Sequence, residues 1–405
     1  MKITQINSFY YTRGGDCTHM FATTELLRKN GHEVHHFAMN HPMNFESPDD
    51  KYWPSYIDYR EAIKDKSIKN IFRVIFRSIY SLEAKKCIDR FLDDVKPDLV
   101  HIHNILHHIT PSILGEIKKR GIPIVWTLHD YTIICPNTSF LTENGDICEA
   151  CKKRKFFMAS VKRCKKNSLG ASLVAMLENY AHRLMRVFRH VDFFISPSDF
   201  LRKKFVEYGM GQKVVTVNNF MDIADCVPCY ENKDYYVYLG RLNHIKGVDT
   251  LVEAAKRVPE VVLKVVGVGE LKEEFEKQNI SNVEFVGFKS GEELKTLTQN
   301  AMFAVVPSQW YENFPYSVLE PMAYGKAVIG SRIGGIPELI KDGETGYLFE
   351  PHNVDELVSL IKKLSSNNGD IVRMGKNARA RVEKEFNQKV HYDKLMEIYQ
   401  KALNQ

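Results

Sequence analysis

The amino-acid sequence predicts an α/β protein made of two Rossmann-like domains that face each other across a cleft. Short apolar runs alternate with helical patterns along the chain, which is typical of parallel sheets covered by helices on both faces. This rhythm occurs twice, and the polar stretch Asn219–Asp234, interrupted by Pro228, separates the two series. The length of 405 residues also favours two domains, because a single core stops growing at roughly 250–300 residues.

The first series contains six predicted strands and four predicted helices. The strands are Ile3–Ile6, Glu33–Ala38, Leu99–His103, Ile124–Leu128, Phe193–Ser196 and Val214–Asn218. The helices are Cys17–Asn30, Thr110–Arg120, Ala171–His190 and Asp199–Glu207. Short apolar runs predict the buried strands, and apolar residues three or four positions apart predict the helices.

The second series repeats this alternation. Its strands are Tyr235–Leu239, Val261–Val266, Val283–Val286, Phe303–Val306, Lys326–Gly330 and Tyr347–Phe349. Its helices are Gly247–Val258, Leu271–Lys277, Gly291–Gln299, Tyr316–Ala323, Val354–Ser365, Ile371–Glu385 and, last, Asn387–Leu403. We therefore expect domains over residues 1–220 and 221–386, a terminal helix over 387–405, and a Cys-rich basic insertion at about 135–166.

Composition and charge are those of an ordinary globular protein. Hydrophobic residues make up 44% and charged residues 26% of the chain, and the net charge is +6 with a pI of about 8.7. This excess of positive charge does not by itself indicate a nucleic-acid partner, and we expect none. The N-terminus predicts a first strand rather than a signal peptide, and no apolar run reaches the ~18 residues of a membrane span. We therefore expect a cytoplasmic protein, in which cysteines are thiols or metal ligands.

Two acidic residues follow the predicted strand Phe303–Val306. Glu312 lies in the turn after the strand, and Glu320 lies on the helix that begins at about Tyr316. Both side chains are expected beyond the carboxyl end of a strand, where open α/β sheets bind ligands. Carboxylates at this place accept hydrogen bonds from hydroxyl groups.

A glycine pair follows the next predicted strand. Gly334 and Gly335 allow close backbone approach, Pro337 suits the first position of a helix, and Glu338 complements the positive helix end. Helix N-termini bind anions. The carboxylates and the glycine motif together therefore predict a crevice that binds a ligand with both hydroxyl and phosphate groups.

The loop Gly240–Gly247 joins a strand to a helix and carries two cations, Arg241 and Lys246. Full positive charges beside a helix N-terminus suit a diphosphate. The alternative is a basic surface loop. The chain contains no Asp-x-Asp pair for Mg²⁺ or Mn²⁺, so these cations and helix ends would have to stabilise a departing pyrophosphate. The phosphate-binding loop of ordinary ATPases is also absent from the sequence.

The first domain offers a second place for a phosphate. Gly14 and Gly15 follow the first strand and precede a helix, although the spacing of a dinucleotide fingerprint is absent. His129 follows the strand Ile124–Leu128, where it is placed to hydrogen-bond a sugar hydroxyl or to polarise a reacting group. The alternatives are a plain turn for the glycines and a structural role for the histidine.

Four cysteines, Cys135, Cys148, Cys151 and Cys164, are spaced C-x12-C-x2-C-x12-C. This spacing in a cytoplasmic chain resembles a structural zinc site. The alternatives are buried thiols, or a pairing of Cys148 and Cys151 with the second C-x-x-C formed by Cys226 and Cys229.

Two segments suit an anionic membrane surface. Residues 152–166 contain eight Lys and Arg residues, no acidic residue, and the pair Phe156-Phe157. Farther upstream, a helical pattern has an apolar face beside basic residues: Ile68, Ile71, Phe72, Ile75, Phe76 and Ile79 lie beside Lys69, Arg73 and Arg77. The alternative for this pattern is a core-facing helix with a solvated flank. We hypothesise that one or both segments dock on the cytoplasmic leaflet.

Together these motifs resemble the retaining, nucleotide-sugar-dependent glycosyltransferases of family 4, which have the GT-B fold. The resemblance covers nearly the whole chain. Its most specific part is the spacing of Glu312 and Glu320 followed by the Gly334-Gly335 motif. The loop Gly240–Gly247 and the pair Gly14-Gly15 add to it.

The resemblance implies a role for each matching residue. Glu312 would contact the donor sugar, Glu320 the ribose hydroxyls, and His129 the sugar near its anomeric carbon. Arg241 and Lys246 would bind the diphosphate. The remaining donor-binding positions are Gly14 and Gly15 at the distal phosphate, Gly287 and Phe288 near the base, and the backbone of Asn313 and Phe314 at the sugar. Pro315 lacks an N–H, so this last set of donors is reduced. The terminal helix would return to the first domain.

The implied reaction is transfer of a hexose or N-acetylhexosamine from a nucleotide-diphosphate sugar, such as a UDP- or GDP-sugar, to a hydroxyl of a glycan or lipid-linked acceptor. It would proceed with retention, without a catalytic metal, in polysaccharide or glycolipid assembly at the cytoplasmic face of the membrane. The alternatives are a nucleotide-sugar epimerase on the same fold and a non-catalytic nucleotide-sugar-binding subunit.

Overall fold

The computed structural model describes the backbone of residues 1–59 and 68–405. Side chains are described over the same ranges, apart from residues 68–73 and 212. The chain divides into two compact units. The first contains Met1–Pro197, Leu201–Val217 and Tyr392–Gln405, and the second contains Ser198–Phe200 and Asn218–His391.

Two parallel six-stranded sheets form the centres of the two units. The strands are β1 (Lys2–Ile6), β2 (Glu33–Phe37), β3 (Leu99–Ile102), β4 (Ile124–Thr127), β5 (Phe193–Ser196), β6 (Val214–Thr216), β7 (Tyr235–Leu239), β8 (Val262–Val266), β9 (Val283–Gly287), β10 (Phe303–Val306), β11 (Ala327–Ser331) and β12 (Gly346–Phe349). The first sheet has the order β2-β1-β3-β4-β5-β6 and the second β12-β11-β10-β7-β8-β9. The predicted fold class, two Rossmann-like α/β domains, is confirmed.

The central strands explain why the sequence shows uninterrupted apolar runs. Every residue of β3, β4, β10 and β11 is buried. Helices cover both faces of a parallel sheet, so the side chains on both sides of each strand must be accommodated in a core.

Helices connect the strands in both units. Those of the described residues are α1 (Gly15–Lys29), α2 (Ile68–Ile79), α3 (Leu82–Val95), α4 (Leu114–Lys119), α5 (Met158–Val161), α6 (Leu169–Leu184), α7 (Asp199–Glu207), α8 (Val248–Lys256), α9 (Lys272–Glu276), α10 (Gly291–Gln299), α11 (Tyr316–Ala323), α12 (Ile336–Leu339), α13 (Val354–Ser365), α14 (Asn368–Glu385) and α15 (Gln388–Leu403). The predicted helix at Ala171–His190 is shorter than expected, because α6 ends at Leu184 and a separate 3₁₀ turn follows at Val187–His190.

Helix α3 was not among the predicted elements. It begins after Ser81, whose Oγ accepts a hydrogen bond from the amide of Ala84 (3.1 Å). It ends at Lys96, which has a left-handed conformation with φ of 49°. Its buried face includes Ile88 and Phe91. The N-cap and the apolar spacing are visible in the sequence, so this helix was predictable.

The last residues of the chain pack in the core of the first unit. Leu395, Ile398 and Tyr399 lie in one cluster with Ile3 and Leu99. None of the helices in the described parts of the chain has both the length and the apolar composition that a membrane span needs.

Candidate active site

The second sheet reverses its strand order between β7 and β10, which are neighbours although two strands separate them along the chain. Ligands of open parallel sheets bind beyond the carboxyl ends of the strands at this switch point. Residues 240–247 follow β7, and residues 307–315 follow β10. The amide of Gln309 donates to the carbonyl of Ile245 (2.9 Å), which joins the two loops.

Gly247 allows these two loops to lie in contact. Its φ is +70°, and a Cβ atom at this position would lie 1.8 Å from the carbonyl oxygen of Pro307. The loop after β8 packs as closely, because a Cβ at Gly267 would lie 1.9 Å from the carbonyl oxygen of Gly240. Glycine is therefore required where the loops around the switch point meet.

Glu312 and Lys246 form an ion pair at the switch point. Lys246 Nζ lies 2.6 Å from Glu312 Oε1. The hydroxyl of Ser308 (2.7 Å) and the indole Nε1 of Trp310 (2.8 Å) donate to the same oxygen. Glu312 is only 5% exposed. Three donors on one oxygen hold the carboxylate in place. Among the described side chains, none donates to Oε2, which leaves that oxygen available to accept hydrogen bonds from a ligand.

The predicted cations both lie on the loop after β7. The ammonium group of Lys246 is 5.1 Å from the centre of the Trp310 ring, in addition to its contact with Glu312. Arg241 is exposed, and its carbonyl accepts a hydrogen bond from the hydroxyl of Tyr238 (2.7 Å). The structure thus brings Lys246 to Glu312 and places Arg241 on the same loop.

Gly334 and Gly335 pack directly against the backbone of the Glu312 loop. A Cβ at Gly334 would lie 2.4 Å from the carbonyl oxygen of Glu312, and one at Gly335 would lie 1.8 Å from that of Asn313. The amide of Gly335 also donates to the Glu312 carbonyl (2.7 Å). The helix that follows, α12, has only four residues. The glycine pair therefore supports Glu312, whereas the sequence suggested an anion-binding helix end.

Glu320 lies in the second turn of α11. Burial raises the pKa of its carboxyl group to about 7. A buried carboxyl group whose pKa is near 7 is suited to accept hydrogen bonds from ligand hydroxyls, because such donors stabilise its charged form.

The backbone and the side chain of Phe314 have different surroundings. Its side chain is buried and packs edge-to-face on Phe386 (5.2 Å). Its carbonyl accepts a hydrogen bond from Asn219 Nδ2 (3.2 Å). Asn313 is partly exposed beside it. The side chain of Phe314 is therefore part of the core, and any contact of this residue with a donor would involve the backbone.

Gly287 and Phe288 lie at the end of β9, the edge strand of the second sheet. Two strand spacings, roughly 10 Å, separate β9 from β7. The ring of Phe288 is 70% exposed. An exposed aromatic ring at this distance from the Lys246 loop offers a stacking surface for a nucleotide base.

In the first unit, Gly14 and Gly15 form the N-terminus of α1, a helix of 15 residues. Gly14 is extended, and no side chain caps the helix. A Cβ at Gly15 would meet nothing within 4 Å. The backbone at this helix end is therefore open to an approaching anion.

His129, which follows β4, is hydrogen-bonded to a second histidine that the sequence analysis missed. His103 Nδ1 lies 3.0 Å from His129 Nε2. When the Gln5 amide oxygen accepts from Thr24, its nitrogen donates to His103 Nε2 (2.8 Å). His103 Nδ1 is then the N–H that donates to His129. Burial lowers the pKa of both histidines, which keeps them neutral. The signal in the sequence was the alternation of His101, in strand β3, with His103, directly after it.

A third imidazole, that of His19, lies beside this pair. Ring nitrogens of His19, His103 and His129 lie within 4.8 Å of one another and could hold a metal ion. They form the only such group of His, Cys, Asp and Glu ligand atoms within the described residues. The hydrogen bond between His103 and His129 already occupies one nitrogen of each, so we interpret the group as a hydrogen-bonded array.

The four cysteines of the predicted zinc site lie in the same unit. Cys135, Cys151 and Cys164 are buried, and Cys148 is partly exposed. Burial raises the pKa of Cys135 to about 11 and that of Cys151 to about 12, and the neighbouring cysteines add to the rise at Cys151. In the described residues, no three of these sulfurs lie within 4.8 Å of one another. The structure therefore brings the thiols near one another without assembling a tetrahedral ligand set.

The second C-x-x-C belongs to the other unit. The Sγ of Cys226 donates to the carbonyl of Asp222, and that of Cys229 to the carbonyl of Glu231 (3.2 Å each).

The basic and apolar helical pattern predicted farther upstream forms helix α2. Five of its predicted side chains lie outside the described residues: Ile68, Lys69, Ile71, Phe72 and Arg73. Phe76 is exposed, whereas Ile75, Arg77 and Ile79 are partly exposed.

Two sequence models of known families match the chain. That of Glycosyltransferase Family 4 matches residues 13–225, more than half of the chain, and that of the glycosyl transferases group 1 matches residues 225–381. The chain belongs to glycosyltransferase family 4. This family 4 chain is 34% identical over 173 residues to the uncharacterized glycosyltransferase MJ1178 of Methanocaldococcus jannaschii, an alignment that covers 41% of the chain and 47% of that protein.

Two further comparisons agree with this assignment. The amylovoran biosynthesis glycosyltransferase AmsK of Erwinia amylovora is 32% identical over 40% of the chain and 44% of its own length. The chain thus spans less than half the length of each of these two relatives. The crystal structure of Anabaena HepE in complex with UDP-glucose superposes with a TM-score of 0.64 at 17% identity, covering 99% of the chain and 100% of HepE. The family 4 chain therefore has the fold of a solved GT-B glycosyltransferase structure.

Proposed function

We propose that this family 4 glycosyltransferase moves a hexosyl or N-acetylhexosaminyl group from a nucleotide-diphosphate sugar to a hydroxyl of a glycan or lipid-linked acceptor in polysaccharide or glycolipid assembly. The observation that carries the proposal is the Glu312–Lys246 pair at the switch point of the second sheet. The pair combines a cation for a diphosphate with a carboxylate oxygen for sugar hydroxyls. The amylovoran role of AmsK and the UDP-glucose bound to HepE support the substrate classes.

In the proposed reaction, Lys246 and Arg241 stabilise the negative charge that grows on the departing nucleotide diphosphate. The C1–O bond of the donor breaks, and positive charge develops on the sugar ring. The acceptor hydroxyl attacks the same face and passes its proton to the leaving phosphate oxygen, so the configuration is retained. Glu312 holds sugar hydroxyls and stabilises the developing charge.

His129 contacts the donor sugar in this proposal. Its Nε2 accepts a hydrogen bond from His103, so its Nδ1 is the remaining N–H donor. A neutral imidazole that donates from a fixed nitrogen polarises a sugar oxygen without adding a full positive charge.

Replacement of Glu312 tests the proposal directly. Glu312→Ala should reduce turnover by roughly 10²-fold or more, because it removes a group that stabilises charge only in the transition state. Glu344→Ala, at an exposed position of the same unit, is the control and should leave turnover unchanged. Wild-type turnover in Glu312→Ala protein would contradict the proposal.

The base of the donor is tested separately. We expect UDP or GDP to raise the melting temperature of the protein and ADP to have a smaller effect. Phe288→Ala should weaken the preferred nucleotide by removing a stacking surface, worth ~1–3 kcal/mol per base. An equal response to all nucleotides would contradict a base-specific site.

Two other functions share this fold. An epimerase would consume the donor without an acceptor, and a non-catalytic subunit would bind the donor without releasing nucleoside diphosphate. Single-turnover release of nucleoside diphosphate, measured with and without acceptor extract, separates them from a transferase. Acceptor-dependent release supports transfer, and full activity after chelation supports catalysis without a metal ion.

A structural zinc ion at Cys135, Cys148, Cys151 and Cys164 stays a prediction. The sulfurs would have to move closer together to bind it. Metal analysis of the purified protein should find one zinc per chain, and Cys148→Ser should lose it. A chain without zinc in both forms would contradict the prediction.

A further inference from the structure

Helix α6 of the first unit turns polar side chains inward and apolar side chains outward. Its buried residues include Ser172, Glu178, Asn179 and His182. Its exposed apolar residues are Leu169 (54% exposed), Leu173 (43%), Leu177 (44%), Tyr180 (37%) and Leu184 (86%). Their spacing of three or four residues places them on one face. A surface helix of a globular protein normally has the opposite arrangement.

Hydrogen bonds on the inner side hold the helix in this orientation. Glu178 Oε2 pairs with His107 Nδ1 (2.9 Å), and His182 Nε2 pairs with the carbonyl oxygen of Ile79 (2.9 Å). Ser172 Oγ accepts from the amide of Lys165 (3.0 Å). Rotating the leucines inward would break these contacts, so their exposure is a built property of the fold.

The segment before α6 continues the apolar face. Phe157 is 47% exposed and Val161 is 68% exposed. The hydroxyl of Tyr180 accepts from the amide of Phe157 (3.3 Å) and donates to the carbonyl of Arg154 (3.2 Å). These two hydrogen bonds attach the basic segment around Arg154 to the exposed face of α6.

Cations surround this apolar face. Seven of the eight basic residues between 152 and 166 are exposed: Lys152, Lys153, Arg154, Lys155, Lys162, Arg163 and Lys166. Lys152 pairs with Glu207 (3.1 Å). Within the described part of the chain, no carboxylate lies within ion-pair distance of the other six. We call α6 together with residues 152–166 the α6 surface.

We propose that the α6 surface docks on an anionic lipid bilayer. Exposed leucines with an aromatic residue between them, bordered by lysines and arginines, are the composition of helices that lie in the membrane interface. The apolar side chains enter the boundary of the acyl chains, while the long basic side chains reach the phosphates. A second copy of the chain is a poorer occupant, because a symmetric contact would bring the same cations against each other.

Flotation of the full chain with vesicles tests this proposal. Vesicles of phosphatidylcholine with phosphatidylglycerol should carry the protein upward, and vesicles of phosphatidylcholine alone should not. Binding should weaken as salt is added, because salt screens the cations. Leu173→Ser combined with Leu177→Ser should lower the partition coefficient by about tenfold or more, given the apolar area withdrawn. Lys153→Glu combined with Lys155→Glu should lower it by at least about tenfold.

The matched control replaces apolar residues that are exposed elsewhere, Leu403 (36%) and Val227 (61%). Leu403→Ser with Val227→Ser should bind vesicles like the wild type. All variants should keep the wild-type melting temperature, because the altered side chains are exposed. Equal binding to both vesicle types, or no loss in the Leu173 and Leu177 variant, would overturn the proposal.

Sedimentation of the protein without lipid tests whether a second copy of the chain, rather than a bilayer, covers the α6 surface. A dimer that the Leu173 and Leu177 variant dissociates would assign the α6 surface to a second copy and overturn membrane docking. Vesicle binding requires neither donor nor acceptor. An inactive protein that still floats would therefore count against the proposed transfer reaction alone.

Discussion

Burial raises the pKa of Glu320 from 4.5 to about 7, so this carboxyl group is partly protonated near neutral pH. If ribose hydroxyls donate to it, binding stabilises the carboxylate and lowers its pKa. Binding must then release a proton between the two pKa values, so affinity must rise with pH up to about 7 and level off above it. Between the two pKa values binding has to remove the proton first, whereas above about 7 the carboxylate is already formed.

Calorimetry of UDP binding in two buffers with different heats of ionisation measures this proton release. We expect a fractional proton to be released near pH 7 by the wild type and none by Glu320→Gln, whose affinity should be independent of pH in this range. The same release in both proteins would assign the proton to another group.

In the proposed reaction, His103 would act through its hydrogen bond to His129 rather than on the donor itself. Its Nδ1–H fixes which nitrogen of His129 donates. His103→Leu should therefore lower kcat by about tenfold or more with little change in KM. His103→Asn, whose amide nitrogen stands near the position of Nδ1, should restore much of the loss. A merely structural role predicts equal defects in the two variants and a matching fall in melting temperature.

The sequence could predict those candidate site residues that lie close together along the chain in a recognisable spacing. Glu312, Lys246 and the glycine pairs were predicted as site residues in this way. Ser308 and Trp310 were missed as donors to Glu312, because nothing in their order shows which oxygen they reach. His103 was missed for a related reason: its partner, His129, follows the neighbouring strand β4.

Among the elements, α1 offers the most direct test of an anion at a helix end. A Cβ at Gly15 has room in the protein itself, so Gly15→Ala should leave stability unchanged or raise it by up to ~1 kcal/mol. The methyl group would nevertheless stand where the proposed phosphate would approach the backbone. We expect at least a roughly tenfold loss of donor affinity.

Gly115→Ala is the control, since it lies on α4 and also has nothing within 4 Å. It should change neither donor affinity nor turnover. Urea unfolding and donor titration of both variants provide the measurement. Unaltered donor affinity in Gly15→Ala would place the phosphate elsewhere.

The elements also show what periodicity does and does not determine. The strands were found because buried parallel strands are continuously apolar. Periodicity shows which residues of α6 share a face, but it does not show which face points inward. A leucine row normally indicates a core, and only the contacts of Glu178 and His182 reveal that this one is exposed.

At the scale of the whole molecule, the order of the chain is not the order of the units. Residues from Tyr392 onward belong to the first unit, although Asn218–His391 before them belong to the second. The first core is therefore incomplete until the last helix has been made. Such a return depends on contacts between residues far apart in sequence, so composition and spacing could not show it. In that core, the hydroxyl of Tyr399 lies 2.6 Å from His101 Nδ1.

Tyr399 is fully buried, and its loss should destabilise the first unit selectively. Tyr399→Ala opens a cavity and should cost about 3–5 kcal/mol, as for other large aromatic residues. Tyr399→Phe keeps the ring and removes only the hydrogen bond to His101, so it should cost about 1–2 kcal/mol. Urea unfolding followed by the intrinsic fluorescence of Trp53 and Trp126, which both lie in the first unit, reports on that unit once Trp310 is replaced by Phe. Unfolding of the second unit is followed with Trp310 intact and with Trp53 and Trp126 replaced. If Tyr399→Ala destabilised both units equally, the terminal helix would support the whole chain rather than the unit in which it packs.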